Sequence, residues 1–220
     1  MFVVVYNNSV ILGPMRWNRR RFENEILEEC EVTAVLPDRN DGAPIMVSDS
    51  VKVLPVQSAE QPLFNPKIEF LHGPFWEFTD AAAISSYVVQ PLPIDAVKNQ
   101  LKAECAAERY RREVAGTKVT VQGTEVTADT GRGSRDIFTQ KYLLAADGEV
   151  VKWKFPEGWL DLTKSEFGVI VSAVAAHVQA QFDWESTRVT EIEACSTLEQ
   201  LDAVVIRDTS ADPNRVPGAV

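Results

Sequence analysis

Thr163-KSEFGVIVSAVAAHVQAQFDWESTRVTEIEA-Cys195 is the stretch whose reading decides how this chain folds. Phe167, Val171, Val174, Val178, Phe182, Val189 and Ile192 recur in it at steps of three, four and seven. That spacing predicts one helix of roughly eight or nine turns with a single apolar stripe. Thr163 with Glu166, and Ser196 with Glu199, are three apart, the spacing of a capping box, so a second helix is expected directly after the first. A helix with one apolar face must lie against something. Along the heptad 171, 178, 185, 192 the third position is Glu185, which argues against a continuous homomeric coiled coil. The first half of the stripe is therefore expected on the domain's own sheet. The second half, from Val189 through Ile192, is expected to be offered to a partner.

Working back from this helix, the run from Ile94 to about Val205 reads as one α+β domain. IDAVKNQLKAECAAERYRREV is helical, with Val97, Leu101, Cys105, Glu108 and Arg112 marking successive turns and Gly116 placed to end it. KVTVQGTEVTA alternates around Gln122-Gly123 and signals a hairpin. GRGSRDIFTQKYLLAA resumes a helix, and VVKWKF can pair with Trp159 to Leu162 across Pro156-Glu157-Gly158. Residues 206–220 are polar and proline-bearing and read as a flexible tail.

Residues 1–57 read as a small β-rich module with one helix. Phe2 to Tyr6 and Ser9 to Leu12 flank an Asn7-Asn8 turn, and Gly13-Pro14 is expected to break the second strand. The helix NRRRFENEILEEC places Phe22, Ile26 and Cys30 on one face. Arg19, Arg20 and Arg21 crowd its N-terminal turn, against the macrodipole. They belong either to a solvated face with i,i+4 Arg–Glu pairs or to a contact with an acidic neighbour in an assembly. Residues 58–93 read as an aromatic, proline-rich connector with strands at 68–70 and 76–78, a short helical turn at DAAAISSY, and a sheet it could share with the first segment. Trp76 in this connector either packs internally or contributes to a docking surface.

The chemistry-bearing residues form no reactive constellation. His72 and His177 lie in different segments, and the three cysteines have no metal-ligand spacing, so no metal site, cofactor or catalytic residue is expected. TGRGSRD lacks the Gly-Lys-Ser/Thr ending of a phosphate loop, and Asp183 and Glu185 are i,i+2 and point apart. A net charge of −10 argues against nucleic acid or an anionic membrane as partner. No run of 18 apolar residues predicts a span, and the opening MFVVVYNNSVIL reads as a strand instead of a signal peptide. Trp184, beside Phe182 on the long helix, either pins a partner or folds back on its own domain.

From about Ala106 to Val204 the chain resembles a family numbered 4376 among domains of unknown function, found in phage tail-fibre, tail-assembly and baseplate-associated proteins. The matching features are AERYRREVAGTKVTVQGTEVTAD, VVKWKF and the long helix, where Ala173, Val174, His177, Val178, Phe182 and Glu185 fill the family's helix pattern. Trp184 departs from it. The resemblance implies a non-enzymatic bacteriophage virion protein of the tail or baseplate, made in the host cytoplasm. Its expected partners are other tail or baseplate proteins, the tail fibre and further copies of itself. The alternative is a fibre-assembly chaperone absent from the finished particle. Arg19, Arg20, Arg21, Trp76, Trp184, Val189 and Ile192 are the candidate partner-binding residues.

Overall fold

A computed structural model describes residues 1–207, which divide into two compact units, Met1–Leu92 and one that begins at Pro93. Most of the expected tail, 208–220, lies outside the described residues. The fold is mixed α+β, as the sequence predicts.

In the first unit β1 (Phe2–Tyr6) and β2 (Ser9–Met15) form a hairpin whose turn residues Asn7 and Asn8 have φ of 48° and 60°. Gly13-Pro14 does not end β2. A register shift between the Phe2↔Met15 and Val4↔Leu12 pairs absorbs it, so the strand continues to Met15. Helix α1 (Arg19–Cys30) starts at the Asn18 cap, whose side chain accepts from the Arg21 amide. β3 (Ile45–Met46) and β4 (Val51–Ser58) follow.

The segment read as a connector supplies β5 (Glu69–Phe78) and β6 (Ala83–Pro91), giving the sheet order β2-β1-β4-β6-β5 with β3 also on β4. Two local expectations need correction. His72-Gly73-Pro74 does not separate two strands but is a bulge within β5, at the sheet edge. The run expected as a helical turn lies largely in β6, which pairs parallel with β4 and antiparallel with β5. Both faces of β1 are covered, which is why its valines run without polar alternation. Phe2 and Val4 pack with Phe22 and Ile26 of α1, while Val3 and Val5 pack with Leu54, Ala83 and half-buried Trp76.

The second unit is built on α4 (Lys164–Ala194), close to the predicted span. Glu166 Oε2 accepts from the Thr163 backbone N–H at 2.6 Å, closing the expected cap. The second box is one residue later than expected: α5 (Leu198–Asp202) is capped by Thr197 with Gln200. Helices α2 (Ile94–Glu113) and α3 (Arg132–Leu144) lie along α4. Two hairpins, β7 (Thr117–Val121) with β8 (Thr124–Ala128) and β9 (Val150–Phe155) with β10 (Gly158–Thr163), complete the unit. Glu157 in the second hairpin's turn ties the two together by accepting from the Thr127 hydroxyl and amide. The core gathers Val119, Val126, Phe138, Phe155, Leu162, Phe167, Ile170 and Val174.

Phe167 is fully buried where both hairpins and α3 meet α4. Phe167→Ala should lower unfolding free energy by about 3–5 kcal/mol, read from urea denaturation followed by circular dichroism. A loss below about 1 kcal/mol would mean this junction does not hold the unit.

Candidate functional site

The most unusual chemistry in the second unit is a pair of buried carboxylates near the end of α2. Glu108 falls on the same helical face as Val97, Leu101 and Cys105, the face turned inward, and only 1% of its surface is accessible. Glu113 is 2% exposed. A charge placed there persists only when paired and hydrogen-bonded. Arginines meet that need. Arg111 approaches Glu108 with two nitrogens, Nε at 2.8 Å and Nη2 at 2.6 Å. Arg112 Nε donates to Glu108 at 2.9 Å, and Arg207 Nε donates at 3.2 Å from the far end of the described chain. Glu113 is bonded by Arg109 on its own helix and by Arg135 of α3 at 2.7 Å.

Helix α4 completes the arrangement with residues of the pattern quoted above. His177 Nε2 lies 3.0 Å from the Arg112 carbonyl. A carbonyl only accepts, so that nitrogen carries the hydrogen and the imidazole caps the C-terminal turn of α2. The Arg109 guanidinium sits 4.6 Å above the Phe182 ring and donates through Nε to Glu185 at 3.0 Å. Arg112 lies 4.1 Å over Trp184. Cation–π contact and ion pairing thus act on the same guanidiniums. Farther along, Lys102 Nζ reaches Glu193 at 2.7 Å, so α2 and α4 run antiparallel. Hydrogen bonding, from Arg111 above all, holds the Glu108 carboxyl at about 2 although burial acts to raise it.

A family model described as domain of unknown function DUF4376 matches residues 96–209. The chain belongs to that family. The matched span holds the whole arginine–carboxylate cluster, with α3, α4 and all of α2 but its first two residues. No curated protein and no solved structure matches the chain.

The candidate partner residues fall in four places. Arg19 is engaged within its own chain, by Glu23 at 2.9 Å and Asp38 at 2.6 Å, while Arg20 and Arg21 are exposed. Trp76 is half-buried beside Val3 and Val5, and Trp184 is half-buried under Arg112. Ile192 is fully buried and Val189 half-buried, so the second half of the stripe is not an open face. The physical reason is α2, which lies along that half of α4.

The apolar surface left open is elsewhere. Ile137, Leu143 and Leu144 of α3 are exposed, Leu144 at 81%. A groove of about 330 Å³ runs between α3 and α4, lined by Phe138, Val171, Val174, Val178 and Phe182. Sequence reading missed Glu108 and Glu113. The available signal was Glu108 at a buried-face position, with Arg112 four residues on, and Arg109 likewise four before Glu113. Among the described residues no group of three or more His, Cys, Asp or Glu is placed to hold a metal, and no helix is long and apolar enough to cross a membrane.

Glu108→Gln leaves three guanidiniums, two of them largely exposed, without their carboxylate and should cost about 1–3 kcal/mol, whereas Glu113→Gln, whose arginines are more buried, should cost about 3–5 kcal/mol, both measured by urea titration. In the unsubstituted protein Glu108 has its folded value below the ordinary 4.5. Its stabilisation is therefore complete above about pH 4.5 and lost as pH falls through about 2. The urea midpoint should drop across that window, and the drop should shrink in Glu108→Gln. An identical pH profile in both would exclude the carboxylate as the cause.

Proposed function

We propose that this protein is a non-enzymatic virion component of a tailed bacteriophage, seated in the tail or baseplate, where it attaches or connects tail fibres by protein–protein contacts. The observation that carries a binding role is the open apolar surface of α3, with Ile137, Leu143 and Leu144 exposed and with Ile137 and Leu144 lining one cleft away from the α3–α4 groove. Large apolar side chains clustered at a surface mark sites that another molecule covers. The phage context rests on the sequence resemblance over about Ala106 to Val204, a stretch that lies inside the family match at residues 96–209. The proposed neighbours are tail or baseplate proteins, a fibre and further copies of this chain.

A chaperone that leaves before the particle is complete would use the same surface. Mass spectrometry of purified particles with crosslinking separates the two readings. A virion component is recovered at fixed stoichiometry, with crosslinks from Lys141 on α3. A protein found only in infected-cell lysate supports the chaperone, and one found with neither particles nor tail proteins overturns both. Leu144→Glu should weaken the complex with the crosslinked neighbour by about tenfold or more, about 1.4 kcal/mol, in a titration with that neighbour. Because Leu144 is exposed, thermal stability of the isolated chain should change by less than about 0.5 kcal/mol.

A further inference from the structure

The buried carboxylates have a consequence for the surface above them. Glu108 is inside, whereas the side chains of Arg111 and Arg207 are 58% and 61% exposed, so the outer layer is cationic. Beside it opens a cavity of about 530 Å³ whose walls include Arg112, Trp184, Arg188, Glu191 and Gln200. Arg188 pairs with Glu191 at 2.5 Å. The charged residues in the cavity wall are two guanidiniums, of Arg112 and Arg188, and one carboxylate, of Glu191. The wall thus bears one net positive charge, in a chain whose net charge is −10.

The geometry is also set in advance. Arg112 uses one of its five N–H donors on Glu108, and its plane is held over the Trp184 ring. His177 anchors the backbone of the same residue. A guanidinium fixed in this way presents a fork that suits two oxygens of one anion, with little ordering left to do on binding. The cavity is far larger than a bare oxyanion, and Trp184 and Ile206 give it an apolar wall.

We propose that this cavity binds an oxyanion, a phosphate or a carboxylate, borne on a planar or apolar body. The head group sits between Arg112 and Arg188, and the body lies against Trp184.

Isothermal titration of the full chain at low salt tests the site with phenyl phosphate, benzoate, inorganic phosphate and, as a neutral control, benzyl alcohol. Phenyl phosphate or benzoate should bind with a Kd of about 1 mM or tighter. Their relative affinity tells whether the site prefers a phosphate or a carboxylate head group. Inorganic phosphate should bind more weakly, for want of the body, and benzyl alcohol should not bind. Arg188→Gln, outside the buried network, should weaken the anion by about tenfold. Arg20→Gln, a remote exposed arginine, should leave it unchanged. Absence of anion binding at about 10 mM, equal binding of benzyl alcohol, or equal losses in both variants would overturn the site.

Discussion

The second unit depends on keeping two arginine-paired carboxyl groups out of water. Glu108 and Glu113 are almost inaccessible, and the arginines that satisfy them come from three parts of the unit: α2 itself, α3 and the segment after α5. Removing one partner from such a cluster costs more than the cluster contributes relative to an apolar core, because an unpaired charge is left in low dielectric. Its effect is therefore specificity of arrangement. An α2–α4 pair held by aliphatic contacts alone could slide by one turn. With Arg109 between Glu113, Glu185 and the Phe182 ring, and His177 on the Arg112 carbonyl, one register satisfies all groups together.

This gives a physical meaning to the polar and aromatic members of the α4 pattern. His177, Phe182 and Glu185 face α2 and act on its arginines, so they orient the seam between helices. Trp184 extends the same device by one more guanidinium. The two surfaces proposed for binding then lie on either side of the seam: an apolar one along α3 and a cavity with arginines in its wall near α5.

What the sequence made legible was local. The span of α4, the Thr163–Glu166 cap, the hairpin at Gln122-Gly123 and the face of α1 all follow from spacing within a few residues. The misread elements were those that distant pairing decides. Thr79 and the alanines after it suggest a helical start, and Thr79 does close a short turn onto Ala82. Pairing with β4 and β5 then draws the chain from Ala83 into the sheet. The arginine partners of Glu113 and Glu108 lie up to 22 and 99 positions away, beyond any periodicity. Ile192 was misassigned for the same reason, since the covering helix precedes it by many residues.

The interruption in β5 bears on how densely this protein can be stored. An outermost strand of ten residues exposes a row of backbone donors and acceptors to which a strand of any other molecule could add. Pro74 contributes no amide hydrogen, and the register shift beside it puts the groups on either side out of step. A continuous intermolecular ladder cannot pass that point. The first unit can thus be crowded with its own kind, as repeated copies in an ordered array would be, without nucleating cross-β fibres from this edge.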